Sequence, residues 1–190
     1  MEIDYHALRA RGKIVLALAS SGIASLILPS ERTAHSQFKF PLDLTDESMC
    51  NIKKNTQMAK LIESTDLIIW DEAPMNDKSC FKALDKSLRE IRDNNEAPFR
   101  GKSLILEGDF KQTLPVKKNG SKSEILAACI TTSYMWRGFK VFVLTQNMRL
   151  VQPGLSASEK ARNEELSRWI LSLGNGHVGT PDLEDQHNSR

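Results

Sequence analysis

The chain has 190 residues, of which 40% are hydrophobic and 26% are charged, and its formal net charge is +2. This length and composition predict a soluble globular protein with a sizeable core. The charge is too small to indicate nucleic-acid binding by itself, so any contact with DNA must depend on the local placement of polar and cationic groups.

The composition also excludes several kinds of site. Three cysteines and four histidines are scattered without metal-ligand spacing, so we predict buried, reduced thiols and no zinc site. No apolar stretch reaches membrane-spanning length, and the first six residues contain two acids and no apolar secretory segment. We therefore predict no secretory signal and no membrane partner.

Strands and helices alternate from the start of the chain. The apolar run at residues 13–19 predicts a buried strand, which Ser-Ser-Gly at 20–22 ends before a short helix at 23–28. A loop with basic and aromatic residues follows at 30–46, and a helix is predicted at 57–63.

The middle of the chain continues this alternation. A second strand is predicted at 67–70, followed by a long helix that Asn76 or Asp77 can cap. A third strand at 103–106 and a helix at 123–130 come next. The long helix has one apolar face, formed by Cys80, Phe81, Leu84, Leu88 and Ile91.

The last part of the chain predicts a fourth strand at 141–144 and a final helix. Ser156 and Glu159 form a capping-box pattern, and Gly174 is a plausible stop for this helix. From residue 176 the chain is polar and is predicted to be a loose tail. The alternation as a whole predicts an α/β fold with a mostly parallel sheet and helices on both faces.

Two carboxylates, Asp71 and Glu72, follow the second predicted strand. The carboxyl edge of an open α/β sheet is where ligands bind, and an ATPase needs there a carboxylate for Mg²⁺ and a second group to orient the attacking water. Adjacent carboxylates also occur at ordinary strand ends, so this pair alone leaves both interpretations open.

Polar groups follow two further predicted strands. Gln112, after Gly-Asp at 108–109, can contact a γ-phosphate or position water, although a solvated Gln beside a Gly-Asp turn is also common. Arg149 follows the fourth predicted strand; an arginine can stabilise the charge on a phosphoryl group, but a lone arginine is usually a surface residue.

Two Gly-Lys pairs superficially resemble a phosphate-binding loop. In the pattern G-x-x-x-x-G-K-[ST], the segment 101–103 would need glycine at residue 96, which is Glu96, and Lys102 opens a strand rather than a helix. The pair at 12–13 has Ala7 in place of the first glycine. We therefore reject both.

Taken together, several segments resemble PIF1-like DNA helicases of superfamily 1, especially the eukaryotic branch related to rolling-circle transposon helicases. The resemblance covers about residues 11–180, in the order typical of the family. The similar segments are residues 12–25, 32–41, 68–75, 108–116, 144–150 and 169–176.

The resemblance implies a RecA-like P-loop NTPase domain that couples hydrolysis of ATP, with Mg²⁺, to movement along single-stranded DNA in the 5′-to-3′ direction. It implies a nuclear or mitochondrial location and work in DNA repair, recombination or telomere maintenance. The implied roles are Mg²⁺ ligand for Asp71, general base for Glu72, γ-phosphate sensor for Gln112, phosphate contact for Arg149 and nucleotide binding for Asp109.

The resemblance also places two segments on the DNA strand. The Ser-Ser-Gly turn offers hydroxyls and amides to phosphates, and His35 or Phe38 can stack on a base. Burial under the loop is the alternative for Phe38 and for Phe40. The implied DNA-binding residues are Ser20, Ser21, Gly22, Thr33, His35 and Phe38.

The chain departs from the family pattern as well. Residues 1–11 contain nothing like the phosphate-binding loop, so we assign them as a divergent N-terminus, 12–175 as a partial first motor domain and 176–190 as a tail. Glu107 replaces a small residue and can repel phosphate. We therefore expect the chain alone to be inactive, with a single-strand DNA-binding pseudo-ATPase or a transposon relic as alternative interpretations.

Overall fold

The computed structural model describes residues 5–28, 32–91, 97–145, 147–151, 154 and 156–177. These residues belong to two compact units, Met1–Phe139 and Lys140–Arg190. Most of the predicted tail lies outside the described residues, and the predicted domain boundaries stay a prediction.

The first unit is built on a parallel sheet of three strands in the order β1-β2-β3. The strands are β1 (Val15–Ala19), β2 (Leu67–Asp71) and β3 (Ser103–Leu106). Trp70 of the central strand lies opposite Leu18 on one side and Leu106 on the other. Three predicted strands and the α/β fold class are thus confirmed, and the three carboxyl ends meet at one edge of the sheet.

The helices of the first unit are α1 (Tyr5–Ala10), α2 (Gly22–Ser25), α3 (Ala34–Phe38), α4 (Gln57–Ser64), α5 (Lys78–Ile91) and α6 (Lys122–Ala128). Short 3-10 turns lie at Ala73–Met75, Pro98–Gly101, Ile130–Thr132 and Tyr134–Gly138. The helix α3 lies in the segment predicted as a loop. It forms because Thr33 Oγ1 accepts a hydrogen bond from the Ser36 amide at 3.3 Å, which caps its first turn.

The core of this unit lies between the sheet and α5, whose predicted apolar face is largely buried as expected. The Trp70 ring packs on Phe81 with 4.6 Å between ring centroids. The same buried cluster includes Leu16, Leu18 and Ile68 of the sheet with Leu84 and Leu88 of α5. Aliphatic and aromatic side chains at this density supply most of the free energy that stabilises a fold of this size.

A buried carboxylate on α5 fixes the segment that leads into β3. Asp85 is 2% exposed, accepts a hydrogen bond from the Phe99 amide at 2.5 Å, and forms an ion pair with Arg89 at 2.9 Å. Phe99 and Arg100 both have left-handed backbone angles, with φ of 49° and 58°. These angles are costly for residues other than glycine, so the bonds to Asp85 stabilise a strained turn.

The second unit contains the 3-10 turn Met148–Val151 and the helix α7 (Ala157–Gly174). The capping box of Ser156 and Glu159 is confirmed, and so is the end of α7 at Gly174. The predicted strand at 141–144 is wrong, since these four side chains are 60–76% exposed and the segment pairs with no strand in the described residues. No helix in the described residues is both long and apolar enough to cross a membrane.

Replacing Asp85 with alanine should lower the free energy of unfolding by about 3 kcal/mol, because the Phe99 amide loses its buried acceptor and the ion pair with Arg89 is removed. Urea unfolding followed by circular dichroism measures this change. Glu90→Ala, on the exposed side of the same helix, is the matched control and should change stability little. Equal effects of the two variants would contradict this role for Asp85.

The three cysteines are buried and free, as predicted. Burial raises the pKa of Cys50 to about 11 and that of Cys80 to about 12, so both stay as unreactive thiols at pH 8. Iodoacetamide at pH 8 should leave both unmodified in the folded chain and modify all three cysteines in guanidinium, as read by mass spectrometry. Rapid modification of Cys80 in the folded chain would show that this part of the core opens.

Candidate functional site at the carboxyl edge of the sheet

The two adjacent carboxylates lie where the central strand ends. Asp71 is the last residue of β2, and its Oδ1 accepts a hydrogen bond from the Glu72 amide at 2.8 Å. Glu72 has a left-handed backbone with φ of 52°, and its Oε2 is buried without a hydrogen-bond partner. A strained residue with an unsatisfied carboxylate oxygen at a strand end is a common sign of a functional site.

The backbone after β3 lies directly against this turn. The Glu107 amide donates to the Trp70 carbonyl, and the Ala73 amide donates to the Glu107 carbonyl, both at 2.9 Å. Gly108 comes next with φ of 147°, and a Cβ added there would lie 2.4 Å from Pro74 Cδ. Only glycine therefore fits this position, which explains why Gly-Asp follows the strand.

Glu107 adds a third carboxylate to the same edge. Its Oε1 is buried without a hydrogen-bond partner. Burial, and secondarily the negative charge of Asp71, raises the pKa of Glu107. The carboxyl edge therefore concentrates negative charge that a bound cation would offset.

Asp109 and Gln112 form one compact turn after β3. Asp109 Oδ1 accepts from the Lys111 amide at 2.9 Å, and Asp109 Oδ2 accepts from Gln112 Nε2 at 3.2 Å. The Gln112 side chain is exposed. The structure thus brings these two predicted residues together, with Gln112 oriented by Asp109 and open to solvent.

The two serines after β1 have different roles: Ser20 bonds residues of β2 and of the turn after it, and Ser21 caps α2. Ser20 Oγ accepts from Trp70 Nε1 at 3.0 Å and from Asn76 Nδ2, and donates to the Asp71 carbonyl at 3.2 Å. Ser21 instead caps α2, because its Oγ accepts from the Ala24 amide at 3.1 Å. Ser20 therefore faces the carboxylate turn.

Two further predicted DNA-binding residues, Thr33 and Gly22, lie next to the end of β1. Thr33 caps α3, and a parallel bridge joins Thr33 to Ala19 at the end of β1. Gly22, at the start of α2, is exposed. Two helix starts with polar caps thus flank the end of β1.

His35 and Phe38 differ in what they offer a ligand. His35 is exposed, packs edge-on against Phe40 with 5.4 Å between ring centroids, and has its pKa lowered by partial burial. The prediction that Phe38 stacks on a base is wrong for this structure, because Phe38 is 0% exposed and its ring lies 5.7 Å from Trp70. Burial, the alternative, describes both Phe38 and Phe40.

The remaining predicted residue and the rejected Gly-Lys pairs lie elsewhere. Arg149 belongs to the 3-10 turn of the second unit, and its side chain lies outside the described residues. Lys102 Nζ donates to the carbonyls of Glu63 and Thr65 at 2.8 and 2.7 Å, and Lys13 pairs with Asp66 at 2.9 Å. Both lysines therefore lie near strand starts, at the edge opposite the carboxylates, in agreement with their rejection.

The donors present suit a hard cation such as Mg²⁺, which prefers carboxylate and water oxygens. Asp71 lies at the position where one such ligand is needed, and Glu72 and Glu107 each carry a buried oxygen without a hydrogen-bond partner. Within the described residues, however, no group of three or more acidic, histidine or cysteine side chains is arranged to hold a metal ion. A magnesium ion at this edge would therefore need further oxygens, from phosphates or water.

Sequence reasoning missed the roles of Trp70, Ser20 and Asn76. The sequence offers Asn76 and Asp77 as caps for α5, and Asp77 performs this task, since its Oδ1 accepts a hydrogen bond from the Ser79 amide at 2.9 Å. The available signal was Trp70 itself, because a buried indole N–H needs a hydrogen-bond acceptor. Its acceptor lies 50 residues earlier in the chain, which local patterns do not reveal.

Comparison with known proteins identifies relatives. The family model for PIF1-like helicases matches residues 3–184. The ATP-dependent DNA helicase Pif1 of Psychrobacter sp. is 28% identical over 146 residues, covering 76% of this chain and 22% of that protein. The ATP-dependent DNA helicase RRM3 of Saccharomyces cerevisiae is 30% identical over 143 residues, covering 73% of this chain and 19% of that protein.

Solved structures show the same fold. A Bacteroides Pif1 helicase in complex with ADP-AlF3 and single-stranded DNA superposes with a TM-score of 0.70 at 24% identity, covering 92% of this chain and 39% of that one. The Pif1 helicase of Candida albicans gives a TM-score of 0.59 at 25% identity, covering 83% and 38%.

The chain spans about a fifth of the length of these two curated relatives and about two fifths of the solved helicases. The shared region includes the three strands and the carboxyl edge described above, since the family match extends from residue 3 to residue 184. The chain belongs to the PIF1-like helicase family.

Proposed function

We propose that the chain forms part of the motor of an ATP-dependent DNA helicase, which couples hydrolysis of Mg-ATP to 5′-to-3′ movement along single-stranded DNA. The observation that carries this proposal is the turn after β2, where Asp71 ends the central strand and Glu72 keeps a buried carboxylate oxygen without a partner. The family membership and the nucleotide and DNA in a similar Bacteroides structure support it.

Each residue at the edge has a defined task in this proposal. A bound Mg²⁺ would neutralise charge on the phosphate oxygens. Asp71 would hold that ion, and the unpaired oxygen of Glu72 would accept the proton of the attacking water. Gln112, which Asp109 orients, would contact the γ-phosphate or the water. For Arg149, which belongs to the second unit, the family resemblance predicts a role in stabilising the charge that develops on the transferred phosphoryl group.

The expected affinity for nucleotide is low, because neither of the two Gly-Lys pairs places its lysine at the carboxyl edge of the sheet. Lysines at phosphate sites neutralise the β- and γ-phosphates, but Lys13 and Lys102 bond near the strand starts. We therefore expect the 190-residue chain to bind Mg-ATP weakly and to hydrolyse it negligibly.

Nuclear or mitochondrial work in DNA repair, recombination or telomere maintenance is also part of the proposed function.

For single-stranded DNA, the surface around the end of β1 is the proposed contact. Ser21, Gly22 and Thr33 offer hydroxyls and amides to phosphates, and exposed His35 offers a ring to a base. Phe38 instead supports this surface from the core.

The nucleotide site can be tested by calorimetric titration of the chain with Mg-ATP. Asp71→Ala should abolish the magnesium-dependent part of binding, because the site loses a hard oxygen ligand. Glu107→Gln should strengthen binding by about tenfold, because it removes a like charge beside the phosphates while keeping the shape of the side chain. Glu72→Gln should leave the affinity nearly unchanged, since its task is proton transfer.

Glu90→Gln, which removes an exposed carboxylate on α5, is the matched control and should not change the affinity. Micromolar affinity of the unmodified chain, or robust DNA-stimulated hydrolysis by it, would contradict the expected weakness. Equal effects of Glu90→Gln and Glu107→Gln would contradict the location of the site.

DNA binding can be tested by fluorescence polarisation with a labelled oligothymidylate at two salt concentrations. We expect weak binding that falls steeply with salt, because phosphate contacts dominate non-specific affinity. His35→Ala should weaken binding several-fold, on the order of 1 kcal/mol or more for a lost stacking contact. The matched control His177→Ala, an exposed histidine of the second unit, should not.

Phe38→Ala provides the contrast on the same segment. It should lower the free energy of unfolding by about 3–5 kcal/mol through an internal cavity. Binding that is tight and insensitive to salt, or equal losses for His35→Ala and His177→Ala, would contradict the proposed surface.

A further inference from the structure

The hydroxyl of Ser20 has no hydrogen-bonding capacity left. A serine hydroxyl has one proton to donate and two lone pairs to accept with. Ser20 Oγ donates to the Asp71 carbonyl at 3.2 Å, accepts from Trp70 Nε1 at 3.0 Å and accepts from the Asn76 amide. A phosphate could therefore bond this hydroxyl only by displacing one of three internal partners.

The partners of Ser20 all belong to β2 and the turn that follows it. Trp70 is 0% exposed and Asn76 is 3% exposed, so neither side chain has room or water to compensate for a lost bond. The Ser20 amide also donates to the Asp71 carbonyl, at 3.0 Å. Two donors of one residue thus fix the carbonyl that leads directly into the left-handed Glu72.

On its other side, Ser20 is joined to the proposed DNA-binding surface. Ser21 caps α2, and Gly22 begins that helix. Ala19, immediately before Ser20, forms the bridge to Thr33, which caps α3. A displacement of either helix start therefore acts on Ser20 through the backbone next to it.

We propose that Ser20 is a positioning residue rather than a DNA contact, and that it transmits strand binding at Ser21, Gly22 and Thr33 to the Asp71–Glu72 turn. This inference rests on the function proposed above. It assigns Ser20 the coupling between the two ligands, with Trp70 and Asn76 fixing its hydroxyl. Coupling between two sites is reciprocal, so nucleotide should change DNA affinity by the same factor.

Nuclear magnetic resonance of the 15N-labelled chain provides a readout that direct contact cannot produce. The chain has three tryptophans, and their indole N–H signals can be assigned with Trp→Phe variants. Because Trp70 is fully buried, oligothymidylate can shift its indole signal only indirectly, through Ser20 or through the Phe40 ring that lies between His35 and Trp70, and the Ser20→Ala variant separates these two routes. Calorimetry with Mg-ADP, with and without an oligothymidylate of about 12 nucleotides, then measures the coupling.

In the unmodified chain, we expect oligothymidylate to shift the Trp70 indole signal and to change the Mg-ADP dissociation constant by at least about fivefold. Ser20→Ala should abolish both effects while each ligand still binds separately. Ser20→Thr, which keeps the hydroxyl, should restore them. Ser48→Ala, at an exposed loop of the same unit, is the control and should leave the coupling intact.

Other outcomes separate this inference from the proposed function. If both ligands bind and Ser20→Ala keeps the coupling, Ser20 has no positioning role, while the proposed function stands. If the unmodified chain binds neither ligand at any accessible concentration, both are overturned. If Ser20→Ala fails to fold, the unmodified chain still provides a test. An indole N–H chemical shift of Trp70 that stays unchanged at saturating oligothymidylate overturns the inference.

Discussion

The burial of Trp70 at the carboxyl end of the central strand is the constraint on which the candidate site depends. Its ring packs against Phe81 of α5, against Phe38 at the end of α3 and against Phe40 just after that helix. A ring buried this completely must still satisfy its N–H, and the acceptor is Ser20 at the end of β1. One side chain therefore fixes both the core and the relative position of two strand ends.

The same arrangement brings three carboxylates together at the carboxyl edge of the sheet. Asp71, Glu72 and Glu107 lie at one edge because backbone hydrogen bonds place the end of β3 against the turn after β2. Burial, and secondarily the negative charge of Asp71, raises the pKa of Glu107. An edge with this surplus of negative charge favours cations and opposes free anions, which is why the function proposed above takes nucleotide as its magnesium complex.

In the second unit, an apolar sequence pattern predicts a strand that the structure does not contain among the described residues. Residues 141–144 are all apolar and three of the four are β-branched or aromatic, yet they form no strand in the described part of the chain. An extended segment becomes a strand only when a neighbour accepts and donates its backbone hydrogen bonds. Similarly, α7 has a confirmed capping box but no buried residue, because capping is local whereas burial requires a packing partner.

By itself, the sequence determined the elements whose causes are local or periodic: three parallel strands, the apolar face of α5, the capping box and the end of α7, and the carboxylates where β2 ends. It also determined the family, because its motifs occur in a characteristic order. Tertiary structure alone decided that Phe38 belongs to the core, that only glycine fits at residue 108 against Pro74, and that Ser20 bonds Trp70 and Asp71. The reason is physical: these outcomes depend on contacts between residues about 30 to 50 positions apart, and such contacts exist only once the parallel strands have aligned their ends.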